Sequence, residues 1–161
     1  MKKIFIAVTL FLLCATPCSA AAALPEADQN SVLPKIDGWF NFEARTTHLD
    51  TVSGYKGKWC ERNYRTDKGV PFRAVWIDGA GQAGWKPKNT PNEKSDGLLG
   101  EGATFKSITV GGHAAELDTH PLLGRSLAVK LPGAVLTLES KYATENEITD
   151  AAEVLIKKIH P

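Results

Sequence analysis

From Thr144 onward the chain reads as one amphipathic helix, and between Ile36 and Ser140 it reads as strands and turns around one long loop. Ile148, Ala151, Ala152, Leu155, Ile156 and Ile159 fall at i, i+3, i+4, i+7, i+8 and i+11. That is a single apolar stripe at 3.6 residues per turn. Thr144 and Glu147 are spaced as a capping box, each able to satisfy a free backbone donor of the other. Acids occupy the first turns and Lys157 and Lys158 the last, the arrangement the helix dipole prefers. Glu153 and Lys157 add an i,i+4 pair. A helix with one apolar face must bury it, and only the face of a sheet is on offer. The predicted class is therefore α+β: a single two-layer domain in which an antiparallel β-sheet is covered by the C-terminal helix. Strands do not alternate with long helices, which excludes a doubly wound parallel fold.

The strands are marked by period-2 alternation and by turn residues. Trp39 to Arg45 is aromatic and partly alternating, and Ser53-Gly54 with Lys56-Gly57 marks a turn. Lys58 to Arg65 puts Trp59, Glu61, Asn63 and Arg65 on one face and Lys58, Cys60, Arg62 and Tyr64 on the other. Asp67-Lys68-Gly69 turns the chain into Phe72 to Ile77, completing a hairpin. Later strands are Thr104 to Val110, ending at Gly111-Gly112, then His113 to His120, Arg125 to Leu131 before Pro132-Gly133, and Ala134 to Ser140. Together these four form an antiparallel meander. Between the two groups, Asp78 to Gly102 holds six glycines and two prolines without any period. So long a stretch without its own structure is unusual in a compact domain, and such loops are either functional or disordered.

A final apolar strand (Val135 to Leu138), a polar step (Glu139 to Ala143) and a terminal amphipathic helix resemble the end of the PsbP/Mog1/DcrB-like superfamily. Its members are small, mostly exported or peripheral proteins with helices packed on an antiparallel sheet. The resemblance is carried by the last third of the chain. It implies a non-enzymatic accessory or binding role, transfers no functional residue, and does not anticipate the 78–102 loop.

The N-terminus supplies an address. Lys2 and Lys3 precede an apolar run from Ile4 to Ala15, followed by Thr16-Pro17-Cys18-Ser19-Ala20. This is the layout of a secretory signal peptide, too short for a bilayer span of about 20 residues. Cleavage is expected after Ala20 or Ala22. Lipidation at Cys18 is disfavoured by Pro17, and Cys14 lies inside the apolar run. The short, lysine-led signal suits bacterial export, with the periplasm or the exterior as destination. The expected organisation is a signal peptide at 1–20, a mobile, alanine-rich lead-in at 21–35 and one domain at 36–161. About 140 residues remain, one domain's worth. Cys60 is then the sole cysteine, so stability must come from packing and not from an internal disulfide.

Charge excludes some partners and suggests others. The mature chain carries about −1, which with export argues against nucleic acid. From Gly54 to Lys94, however, the balance is +5, against −3 on either side. That distribution offers a basic face to an anionic partner. Trp85, flanked by Lys86 and Lys88 in the loop, is an expected contact residue, with Arg73 nearby in sequence as a further cation.

Motifs with catalytic overtones weaken on inspection. Gly79-Ala80-Gly81-Gln82-Ala83-Gly84 spells G-x-G-x-x-G after a strand, but Pro87 and Pro91 forbid the helix that would receive a pyrophosphate. No cofactor is expected. His113, Glu116, Asp118 and His120 are metal-ligating types. On one strand Glu116, Asp118 and His120 share a face at about 7 Å spacing while His113 points away, so they do not close around an ion unaided. Cys60 could be a nucleophile with His48 or His120, yet beside Trp59 it reads as a small buried hydrophobe. Ser126 lacks the second glycine of a nucleophile elbow. The function expected is an exported, soluble accessory or binding module without catalysis. It would meet a protein, an envelope polymer or a small anion through the 78–102 loop and adjacent basic residues. A periplasmic hydrolase or thiol enzyme centred on Cys60 or His113–His120, and an inhibitor of an exogenous enzyme, are the alternatives.

Overall fold

The structure is a computed structural model that describes residues 31–52, 54–82, 84–87, 93–95 and 102–159. The signal segment and Lys88 lie outside these residues. The strands are β1 (Phe40–Asn41), β2 (Arg45–Thr51), β3 (Gly54–Arg65), β4 (Pro71–Asp78), β5 (Glu93–Ser95), β6 (Ala103–Val110), β7 (His113–His120), β8 (Gly124–Leu131) and β9 (Ala134–Ser140), followed by helix α1 (Glu145–Ile159). They form one sheet in the order β1-β3-β4-β9-β8-β7-β6-β5, with β2 also on β3. Because β1 and β2 lie end to end along the same edge of β3, the sheet is eight positions wide. Every pairing is antiparallel. The domain is thus α+β, one antiparallel sheet with a single C-terminal helix packed on it. The two meanders meet at its centre, where β4 pairs β9 through Trp76↔Leu136 and Ala74↔Leu138.

Alternation divides the side chains between two faces. One carries Cys60, Tyr64, Phe72, Trp76, Leu117, Leu127, Val129, Leu136 and Leu138, all buried. Helix α1 lies on this face over β6, β8 and β9, burying Ile148, Ala151, Ala152, Leu155 and Ile156 as the stripe requires. The main contacts of the helix are with β6, β8 and β9, and the inner side of β3 is covered chiefly by residues 31–44. There the Tyr64 hydroxyl donates to the Pro34 carbonyl at 2.7 Å, and Leu33 and Ile36 join the core. Of the expected lead-in at 21–35, residues 31–35 are described, and Leu33 among them is fully buried.

Three expectations are corrected locally. Trp39 to Arg45 is not one strand. Asn41 ties the chain back on itself, its Oδ1 accepting from the Ile36 N–H at 2.7 Å and its Nδ2 donating to the Ile36 and Trp39 carbonyls. The β1 ladder ends at Asn41, with one further bond from the Phe42 N–H to β3, and pairing resumes at Arg45. Lys56-Gly57 is not a turn but lies inside β3. Gly57 is glycine because the β4 end passes over it: a Cβ there would stand 2.4 Å from the Asp78 carbonyl oxygen. Nor is 78–102 without structure, since it opens with a 3₁₀ turn at Gly79–Gly81 and contains β5.

The capping box is formed. Glu147 Oε2 accepts from the Thr144 backbone N–H and hydroxyl, both at 2.8 Å, and the Glu147 N–H donates to Thr144 Oγ1 at 3.3 Å. The backbone hydrogen bond from Thr144, then its hydroxyl, holds the Glu147 carboxyl below its ordinary pKa. A depressed carboxyl stabilises the fold above its unfolded pKa, and that contribution is lost as pH falls through the folded value. Lowering the pH from 6 to 3 should therefore reduce the stability difference between wild type and Glu147→Gln, read from paired urea titrations. A difference that stays constant over that range would mean the carboxylate does not cap the helix.

Candidate functional site

Among the described residues, no helix lies on the second face of the sheet. Across it run three rows of side chains fixed by strand register. The first is Trp59, Ile77, Val135 and Lys130; the second Glu61, Val75, Thr137, Ala128 and Glu116; the third Asn63, Arg73, Glu139, Ser126 and Asp118. Val75 and Val135 are buried in the middle of this face, while the polar members stay partly open.

Arg73 is the hub. Its Nε and Nη2 donate to Glu61 Oε2 at 3.3 and 2.8 Å, and its Nη1 donates to Glu139 Oε2 at 2.9 Å. The guanidinium also lies 5.9 Å from the centre of the Trp59 ring. Glu61 first, then Glu139, hold it even more firmly protonated than an ordinary arginine. With two carboxylates on it, Arg73 is a positioned bridge rather than an open cation.

Two cavities flank this bridge and share Glu139. The first, of ≈ 350 Å³, is bordered by Phe42, Asn63, Arg65, Arg73, Lys141 and Tyr142. The second, of ≈ 290 Å³, is bordered by Asp118, His120, Leu123, Arg125 and Ser126. The aromatic rim of the first is held from behind. The Phe42 N–H donates to the Asn63 carbonyl at 3.0 Å, and buried Arg62 donates through Nη1 to the Phe42 carbonyl at 3.1 Å. The Phe42 ring is nonetheless 44% exposed, and Phe40 packs edge-on against it at 4.9 Å. On the far side Ser140 Oγ, itself donating to the Pro71 carbonyl, accepts from the N–H groups of Tyr142 and Ala143. Tyr142 is 72% exposed. Exposed aromatic rings grouped around one cavity on fixed backbones mark a candidate contact surface.

The predicted site residues divide between these places. Trp85 is half-buried, its N–H bonded to the Gln82 carbonyl at 3.1 Å, and Lys86 is exposed. The segment starts on the helix-free face, where Lys130 Nζ bonds both oxygens of Gln82. Ile77, in the row of Lys130, is four residues along β4 from Arg73, about 13 Å at strand rise. The loop origin and the Arg73 bridge therefore sit at opposite ends of one face. Gly79 opens a single 3₁₀ turn and not an α-helix, and a Cβ on it would meet the Lys56 carbonyl oxygen at 2.3 Å. That glycine serves backbone packing and not a phosphate.

Asp118 and His120 border one cavity, Glu116 lies a row away, and His113 faces the helix side. Among the described residues no three His, Cys, Asp or Glu side chains stand close enough to hold a metal ion. His120 Nδ1 accepts from the N–H groups of Leu122 and Leu123 at 3.1 and 3.2 Å, so the neutral ring carries its proton on Nε2. In that form Nε2 donates a hydrogen bond and cannot take the proton of Ser126, as a serine nucleophile would need. Cys60 is fully buried, 3.2 Å from Ser31 Oγ and 3.5 Å from Thr46 Oγ1, on the face opposite His120. Its place is in the core.

Sequence reasoning placed Glu61 and Asn63 together on one face of β3 but missed Phe42, Arg65, Glu139, Lys141 and Tyr142 as parts of a site. Arg65, Glu139 and Lys141 offered only a charge and Phe42 and Tyr142 only an aromatic ring as a sequence signal, and none of these says which strands pair. No helix among the described residues is long and apolar enough to cross a membrane. Comparison with protein-family models, with curated proteins and with solved structures finds no match for this chain.

Proposed function

We propose that this is an exported, non-catalytic binding module whose contact surface is the helix-free sheet face, centred on the Glu61–Arg73–Glu139 bridge and its aromatic-rimmed cavity. The observation that carries this reading is the display of Phe42 and Tyr142 on hydrogen-bonded backbones around one cavity. Rigid aromatics lose little entropy on binding and supply most of the energy of a contact. The lysine-led apolar segment at the N-terminus supports export, and the resemblance of the chain's end to exported accessory proteins points the same way. Trp85 and Lys86 then form a second, peripheral contact from the other end of the face, and Lys88, which the sequence groups with them, lies outside the described residues. Their charge would act chiefly on the rate of encounter. Thiol or serine catalysis is disfavoured by the burial of Cys60 and by the tautomer of His120.

The test is co-sedimentation of the purified exported chain with the envelope fraction of the producing cell. Wild type should sediment, and Phe42→Ala with Tyr142→Ala should remain in solution. The triple alanine variant of Trp85, Lys86 and Lys88 should be slowed in association but still sediment. If the loop variant is released and the aromatic variant retained, the contact lies on the loop. A wild-type chain that binds nothing in that fraction defeats the proposal.

A further inference from the structure

Building on that reading of the face, we infer that the aromatic-rimmed cavity takes an acidic oligosaccharide, a chain of sugar rings bearing carboxylates. The floors of both cavities belong to β3, β4, β9, β8 and β7, all of which have a strand on either side. Their backbone donors and acceptors are spent in the ladder. An extended peptide gains its affinity from main-chain hydrogen bonds at a free sheet edge, and this surface offers it none. A saccharide needs only side chains. Its ring faces are apolar and lie flat against aromatic rings, while its hydroxyls both donate and accept.

The residues present match those needs. Phe42 and Tyr142 stand on the rim of the larger cavity, and Asn63 brings a donor and an acceptor. Glu139 receives Arg73 through Oε2, leaving Oε1 as an acceptor between the two cavities. Beyond it, the Nε2 proton of His120 and the Ser126 hydroxyl extend the polar track. The carboxylate requirement comes from Arg65 and Lys141. Both are exposed on the larger cavity, and neither has an ion-pair partner among the described residues, Lys141 resting 5.9 Å from the Tyr142 ring centre. Arg73 is already neutralised by its two glutamates, so these two cations set the sign of the ligand.

The experiment is isothermal titration of the exported chain with hexasaccharides of hyaluronan, polygalacturonate and alginate, with neutral chitohexaose and maltohexaose, and with a Glu–Tyr hexapeptide. At least one carboxylated hexasaccharide should bind below about 1 mM, at least tenfold tighter than the neutral ones. Tyr142→Ala should abolish that binding. Arg65→Gln with Lys141→Gln should bring it down to the neutral level and remove its salt dependence. Equal affinity for neutral and acidic sugars, binding indifferent to Tyr142, or binding of the peptide alone overturns the inference. So does the absence of any carboxylated ligand below that limit. If no sugar binds while the Phe42, Tyr142 double variant still loses the envelope, the contact surface stands and its saccharide assignment falls.

Discussion

Leu155→Ala is expected to cost about 2–5 kcal/mol, as truncation of a fully buried leucine does. Leu155 has no exposed surface and sits in the middle of the α1 stripe with Ala151, Ala152 and Ile156 around it. Among the described residues the helix is the only long element covering β6, β8 and β9, so a void beneath it is not readily closed by a neighbouring layer. A loss of that size is a large part of the 5–15 kcal/mol that typical domains possess. Urea titration measures it. A midpoint within about 0.5 kcal/mol of wild type would mean that α1 is not what seals the core.

The second large effect is expected at Gly124. It begins β8 with φ +91°, a conformation that side chains other than glycine rarely adopt. A Cβ added there would stand 2.4 Å from the Lys141 Cα and from the Ser140 carbonyl oxygen, which are backbone atoms unable to move aside. The left-handed backbone costs roughly 1–2 kcal/mol and the forced overlap about 1–3, so Gly124→Ala should lose about 2–5 kcal/mol together. The strain falls where β9 leads into Tyr142. The same variant should therefore misplace that ring and weaken envelope binding even under conditions in which it remains folded. A Gly124→Ala protein with wild-type stability would show that β8 and the β9 exit are not in contact as described.

How much of this was legible in the sequence depends on which physical signal each part rests on. The helix was readable because Ile148 to Ile159 repeats at 3.6 residues and its cap and charges agree with the stripe. The meander was readable because Gly111-Gly112 and Pro132-Gly133 leave little choice of conformation. Alternation also gave the two faces of β3 correctly, but not which of them is inside. Cys60, Arg62 and Tyr64 compete with Trp59, Glu61 and Asn63, and hydropathy does not separate the sets. What decides is long-range: residues 31–44 cover the first set, with Tyr64 bonded to Pro34 and Arg62 to Phe42. The site was hidden for the same reason. Arg73, Glu61 and Glu139 meet only because β4 pairs both β3 and β9, and Glu139 lies 66 residues from Arg73 in the chain. The break after Asn41 rests on one side chain bonding three backbone groups, which no periodicity reports.

The two faces of this sheet have separate duties in this account, one holding the fold together and the other meeting a partner. The most direct test is the urea midpoint of Phe42→Ala with Tyr142→Ala, measured on the same preparations used for envelope co-sedimentation. Both rings are exposed, and truncating them chiefly removes the edge-on packing of Phe40 on Phe42, worth about 0.5–1.5 kcal/mol. The expected result is a stability decrease below about 1.5 kcal/mol, as for surface positions, together with loss of envelope binding. A decrease of several kcal/mol with binding intact would contradict it, since the rings would then be part of the packing and the contact surface would lie elsewhere.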